Sequence, residues 1–247
     1  MRRFTDYDPF AWLYANYWGE EFHREVIPAL DRLVLDLLPR KAEILDLCCG
    51  DGRVARTLSK RGYKVVGVDG SGHMLSYAKQ RAPKVEFYLK DVRSFQFPPR
   101  FDAAISTFDS LNHIMTMEDL KKVFRNVQAC LKPEAYFAFD LNREEAYIEL
   151  WSRTSTLVDK KAVSIARGTY DSARKIADCF VTLMRLEDGQ WVRSDFRLTQ
   201  KLHAEDEVLA GLQEAGFETK VFDGTRDLGM HGDVGCGRNF YLARKIA

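Results

Sequence analysis

Ile44-Leu45-Asp46-Leu47-Cys48-Cys49-Gly50-Asp51-Gly52-Arg53-Val54-Ala55 decides the fold. An apolar β-type run ends in an acid, passes through a glycine turn and enters a helix-type segment. Gly50 and Gly52 remove side chains where the backbone turns sharply and where a ligand comes within van der Waals distance. Such a strand, turn and helix unit is a nucleotide-type binding loop, and its surroundings must decide which nucleotide.

Outward from this stretch the chain alternates strand and helix. Strand 43–47 leads to helix 51–61, stopped by Gly62; strand 64–69 leads to helix 71–82; strands 85–89 and 101–107 follow, with Pro98-Pro99 between them. Thr116 caps a helix over 118–130, Pro133 lies just past its end, and strand 135–141 completes a run of five. This alternation calls for a parallel sheet with helices on both faces and ligands at the carboxyl ends of the strands. After Trp151 the pattern changes. Residues 154–202 lack helix periodicity and carry Asp188-Gly189 between two β-type runs, a hairpin signal, so they form an antiparallel β insertion. Its apolar face must be buried, over the acceptor pocket, against a second copy of the chain, or both. Helix 205–215 and strands 217–223 and 238–244 close the chain, and their glycine-rich connection makes the last two strands antiparallel neighbours.

Length and composition bound the reading. The 247 residues suit one α/β unit, 1–247, with an N-terminal helical lid over 1–38 and the insertion within it. Lys plus Arg (37) nearly cancels Asp plus Glu (36), which disfavours nucleic acid as the main partner. Five cysteines, two of them adjacent, fit a reducing cytoplasm, and no run approaches a membrane span or a signal core. In the lid, Asp8 and Pro9 start a helix over 8–18 crowded with aromatics, and Tyr14, Tyr17 or Trp18 is placed to cover a ligand. A second helix over 20–38 contains Pro28 as an irregularity.

Three acids, Asp46, Asp69 and Asp91, fall at the ends of three successive strands. A carboxylate at Asp69 suits a ribose diol, and Asp91 can accept from the exocyclic amine of adenine while Val92 and Met74 pack the ring faces. Asp46, before the glycine turn, repels a pyrophosphate and suits an ammonium group. Together these groups point to S-adenosylmethionine. The stretch Leu45 to Gly52, with Val68-Asp69-Gly70-Ser71 and Lys90-Asp91-Val92, resembles the glycine, ribose and adenine motifs of class I S-adenosylmethionine-dependent methyltransferases. Cys48 stands where that family usually has its first glycine, so only its backbone is expected to face the cofactor. The resemblance implies a Rossmann-like seven-stranded sheet in the order 3-2-1-4-5-7-6, the last strand antiparallel.

The fourth strand ends in Ser106-Thr107-Phe108-Asp109-Ser110-Leu111-Asn112-His113. Thr107 and Phe108 flank the methionine part of the cofactor, and His113 reaches the acceptor side. The segment is similar to that of small-molecule methyltransferases, including sugar N-methyltransferases, which implies His113 as a base or as an orienting group. Asp109, Asp140 to Asn142 and Arg238-Asn239 are further pocket candidates. The histidines show no metal-ligand spacing. The expected activity is methyl transfer to an oxygen or nitrogen atom of a small molecule. Two rivals remain: an NAD(P)-dependent oxidoreductase, because Gly50 to Ala55 satisfies the dinucleotide glycine pattern, and a noncatalytic adenosyl-ligand binder.

Overall fold

A computed structural model describes residues 6–246; Met1 to Thr5, which open the expected N-terminal segment, and Ala247 lie outside the described residues. The alternating stretch forms β1 (Glu43–Leu47), β2 (Lys64–Asp69), β3 (Glu86–Leu89), β4 (Phe101–Ser106) and β5 (Leu131–Asn142). Apolar runs of five or six residues bounded by glycine, proline and acids give β1, β2 and β4, buried on both faces, whereas β3 at the sheet edge alternates exposed and half-buried residues. Burial is complete or nearly so over Ile44 to Leu47 and over Ala103 to Ser106.

The chain closes with β10 (Phe217–Asp223) and β11 (Arg238–Lys245), and the sheet order is β10-β11-β5-β4-β1-β2-β3. Counting only the strands of this sheet, that order is 3-2-1-4-5-7-6, as the resemblance implied. The last strand, β11, runs antiparallel to both neighbours, with Arg238 opposite Asn142 and Asp223 opposite Asn239.

Helices cover both faces. On one, α5 (Met117–Cys130) and α7 (Glu205–Glu214) bury Leu120, Phe124, Val127, Val208 and Leu212 against Leu45, Leu47, Phe137 and Tyr241. On the other, α2 (Gly19–Leu33) and α3 (Arg53–Lys60) bury Phe22, Val26, Leu30 and Leu58 against Ile44, Ile105 and Phe240. Alternation along β1 therefore turns Leu45 and Leu47 to one layer and Ile44 and Asp46 to the other. α4 (Gly72–Arg81) starts at Ser71, whose side chain accepts from the Met74 N–H and caps the helix.

The insertion forms a second sheet, in the order β6 (Thr154–Val158), β7 (Ala162–Asp171), β8 (Ile176–Glu187) and β9 (Gln190–Lys201). Glu187 pairs with Gln190 across Asp188 and Gly189, whose φ of 48° and 83° make the two-residue hairpin. Its inner face packs Ala166, Val181, Leu183 and Leu198 on Phe10, Leu13 and Met74. The apolar face is thus covered by the N-terminal segment and α4.

Several boundaries depart from the sequence expectation. The expected helix over 8–18 is a 3-10 turn (Asp8–Phe10), α1 (Ala11–Leu13) and a π-helical turn (Tyr14–Trp18). The second helix ends at Leu33, not 38, and a 3-10 turn (Leu35–Leu37) follows. Pro28 does not interrupt it, because the carbonyl that loses its partner belongs to Arg24, which is exposed to water. β5 begins at Leu131 through a register shift opposite Phe101 to Ala103. A 3-10 turn (Ser110–His113) and α6 (Glu144–Glu149) are too short to show periodicity in the sequence.

α3 begins only at Arg53, because Gly52 holds φ 75° and a Cβ there would lie 2.9 Å from both Cα and Cβ of Ala78. The close approach of α3 to α4 depends on this missing side chain. Gly52→Ala is expected to cost about 2–4 kcal/mol, as left-handed strain plus overpacking, read as a lowered urea midpoint.

Candidate active site

The carboxyl ends of β1, β2 and β4 open into one cavity of about 820 Å³. Its wall brings together Tyr14, Asp46, Cys48, Gly50, Asp69 and Gly70, and continues through Met74, Asp91, Val92, Thr107, Phe108 and His113. Gly52, also expected at the site, faces Ala78 instead of the cavity. Tyr17 and Trp18 are absent from the lining, as are Asp109, Asp140, Asn142, Arg238 and Asn239.

The three acids have different surroundings. Asp46 is 2% exposed and its Oδ2 has no hydrogen-bond partner. Burial first, then the charge of Asp69, pushes its carboxyl up to about 8. Asp69 accepts the N–H of Gly50 on one oxygen and that of Ser71 on the other, each at 2.8 Å. Burial raises it to about 6 against these bonds. Asp91 is the outermost. Burial works to raise it, but the fork of Arg93, at 2.7 to 3.2 Å, outweighs burial and holds it below the usual carboxylate range.

At the glycine turn Cys48 holds φ 57° and Gly50 φ 51°, so a cysteine occupies the left-handed region that favours glycine. Burial, foremost, raises the Cys48 thiol, which excludes a thiolate there at neutral pH. A Cβ on Gly50 would come 3.7 Å from Cε1 of Tyr14, which the π-helical turn sets over the loop. Arg53 fastens that turn. Its Nη2 donates to the Ala15 carbonyl at 2.7 Å and its Nε to Asp51 at 3.0 Å, while Arg81 holds the same Asp51. Asp8 also ties the N-terminal segment down, accepting from the hydroxyl of Ser71 at 2.5 Å.

At the other end of the cavity the ring of His113 is fixed from two sides. The Thr199 carbonyl lies 2.8 Å from Nδ1, so Nδ1 carries the proton and Nε2 the lone pair. The hydroxyl of Tyr7 lies 2.6 Å from Nε2 and donates to it. Burial lowers the His113 pKa against the opposing charge of Asp109, and the ring is neutral at neutral pH.

The comparisons with known proteins agree with this geometry. Residues 44–134 match the family model described as a methyltransferase domain. An uncharacterised methyltransferase of Synechocystis sp. is 32% identical over 149 residues, which are 56% of this chain and 67% of that protein. The chain belongs to the class I S-adenosylmethionine-dependent methyltransferases. A dTDP-3-amino-3,6-dideoxy-alpha-D-glucopyranose N,N-dimethyltransferase of Streptomyces fradiae is 31% identical over 47% of this chain and 45% of its own. The match covers 51%, 45% and 48% of the length of three of the curated relatives and 73% of a relative from Geobacillus sp.. The crystal structure of an S-adenosylmethionine-dependent methyltransferase from Clostridium acetobutylicum shares the fold, with a TM-score of 0.78 at 20% identity over 98% of this chain and 100% of that one. Membership in this family sets the nicotinamide rival aside. S-adenosylmethionine is the family's cofactor, and the unpartnered Oδ2 of Asp46 suits an ammonium donor and not a phosphate.

Sequence reasoning passed over Tyr7, Arg93, Gln200 and the pairing of Arg238. Only Arg93 gave a local signal, two residues after Asp91. Arg238 lies behind the methyltransferase cavity, 5% exposed, with Asp109 Oδ1 2.9 Å from Nη1 and Asp140 bonded to the same nitrogen. Burial, foremost, raises the Asp140 carboxyl. Arg238→Met leaves two buried carboxylates without their counter-charge and is expected to cost about 3–5 kcal/mol at pH 8. Urea unfolding of both proteins at pH 8 and pH 5 checks this. The gap narrows at the lower pH, because the folded variant takes up protons that the unfolded chain does not.

Proposed function

We propose that this protein transfers a methyl group from S-adenosylmethionine to a nitrogen or oxygen atom of a small molecule. The observation that carries the reading is Asp46, a buried acid in the wall of an 820 Å³ cavity, one of whose oxygens has no hydrogen-bond partner, with Asp69 and Asp91 in the same wall. In this reading Asp46 takes the cofactor's ammonium, Asp69 the ribose diol and Asp91 the adenine amine. Val92 and Met74 pack the ring faces, and Gly50, Gly70 and the backbone of Cys48 let the ligand come close. Thr107 and Phe108 flank the methionine part, and Tyr14 closes over it. The cofactor, when bound, supplies an activated methyl carbon.

The chain aligns the acceptor, excludes water and removes a proton. His113 does the last. Its neutral Nε2 takes up a proton through the Tyr7 hydroxyl, which passes its own proton to Nε2 as it accepts one from the acceptor. The amino-sugar substrate of the Streptomyces fradiae relative supports a polar acceptor bearing an amine or hydroxyl. Near-neutral net charge supports a metabolite over nucleic acid. Five free cysteines support a reducing cytoplasm, and among the described residues no helix is long and apolar enough to cross a membrane.

Calorimetry tests the donor half. Affinity for S-adenosylmethionine is expected to rise between pH 6 and 8, with proton release, because the ammonium favours the carboxylate form of an Asp46 that otherwise holds its proton up to about pH 8. Asp46→Asn abolishes that proton release and weakens binding by about 10- to 100-fold. Methyl transfer across a panel of amino and hydroxyl metabolites tests the acceptor half. His113→Asn is expected to lose turnover while binding the cofactor normally. Tight binding of nicotinamide cofactors without S-adenosylmethionine binding overturns the reading.

The outward face of the second sheet exposes Val158 (79%), Ile165 (46%) and Trp191 (47%). We propose that this face meets a second copy of the chain. Sedimentation is expected to give a dimer that Trp191→Glu dissociates; a monomeric parent protein overturns this.

A further inference from the structure

Gln200, near the end of β9, is fully buried, and its four hydrogen-bonding positions are all used. Its Nε2 donates to Asp109 Oδ2 and lies 3.1 Å from Nε2 of His113. Its Oε1 accepts from Asn142 Nδ2 at 3.2 Å and from the hydroxyl of Tyr147 at 3.1 Å. Tyr147 is itself fully buried on α6, and Asn142 ends β5. The orientation of the amide follows from these partners. A carboxylate demands a donor, the one lone pair of Nε2 is shared by the Gln200 N–H with the nearer Tyr7 hydroxyl, and an amide N–H and a phenol O–H demand an acceptor, so only one flip suits all four neighbours.

We propose that Gln200 is a positioning residue of the reaction, through which the inserted sheet fixes the ring of His113 and keeps its Nε2 in the proton-accepting form. The proposal rests on the reading of His113 as the acceptor-side base. The groups facing the ring are the Tyr7 hydroxyl from the N-terminal segment, Asp109 from the loop after β4, and the Thr199 carbonyl and Gln200 from β9. Behind Asp109 stand Arg238 and Asp140, and behind Gln200 stands Tyr147. Two effects of Gln200 act in one direction. An N–H pointing at Nε2 stabilises the neutral ring, and an N–H on Asp109 draws that carboxylate away from forming a salt bridge with an imidazolium. Residues 199 and 200 thus hold the ring through both nitrogens, and both belong to the insertion.

Nuclear magnetic resonance of ring-labelled histidine, assigned by comparison with His113→Asn, reads the tautomer and titration of His113 without a turnover assay. In Gln200→Met, which nearly keeps the volume, the His113 pKa is expected to rise by about half a pH unit or more, with partial loss of the single Nδ1–H tautomer. The acid limb of the turnover profile should move with it, kcat falling while cofactor affinity stays. Tyr147→Phe removes one of the two donors that orient the Gln200 amide, and is expected to give a smaller change of the same sign. That variant carries the test if Gln200→Met does not fold. An unchanged tautomer and titration in the folded variants overturns the proposal, whatever happens to turnover. If the His113 signals shift as expected while His113→Asn keeps full turnover, Gln200 holds the ring but its part in the reaction falls with the base assignment.

Discussion

One guanidinium between two carboxylates holds the interior of this molecule in register. Arg238 comes from the antiparallel strand β11, Asp140 from the end of β5, and Asp109 from the loop after β4. A buried ion pair contributes little net stability by itself, but removing one partner is severe, so such a group fixes geometry. The geometry fixed here is costly. Phe108 and Asp109 both hold positive φ, 63° and 45°, which non-glycine residues adopt at about 1–3 kcal/mol each. The Asp109 N–H donates to Asp140 at 2.8 Å, and Phe108 stacks on Phe22 at 4.2 Å with Arg238 over both rings. The loop that carries Phe108 to the cavity and leads to His113 is therefore held from behind by charge and from the side by stacking.

The opposite wall follows another rule. There the backbone does the shaping, through left-handed residues at the glycine turn and carboxylate bonds to N–H groups, and three acids stand at the strand ends. Asp46, Asp69 and Asp91 lie along one edge with progressively more exposure and progressively lower proton affinity.

Most of the fold could be read from the sequence, because its information is local. The strands at 43–47, 64–69 and 217–223 were bounded to the residue by acids, glycines and turns. So was the hairpin at Asp188-Gly189, where two residues with positive φ dictate the turn. Helix ends were less legible: Val34 leaves the helical region at φ −143° within an unbroken apolar pattern. Of the cavity wall, the strand-end residues were visible, because strand ends and glycine motifs are local signals. Tyr7 on His113 spans 106 residues and Gln200 on Asp109 spans 91, and no spacing rule reaches that far. Asp140 and Arg238 read as pocket residues in the sequence, since a charge at a strand end looks the same whether it lines a cavity or supports one from behind.

The second sheet leaves the chain after α6 and returns before α7, while the strand-end acids and the glycine turn are complete by residue 91. Such an arrangement lends itself to recombination, because a different sheet could be spliced in without breaking the chain of the glycine turn, provided that it covers Phe10, Leu13 and Met74 as this one does. The four bonds of Gln200 set the condition on that exchange. An incoming sheet must present a carbonyl and an amide where Thr199 and Gln200 stand, or the ring of His113 keeps only the Tyr7 hydroxyl as its partner.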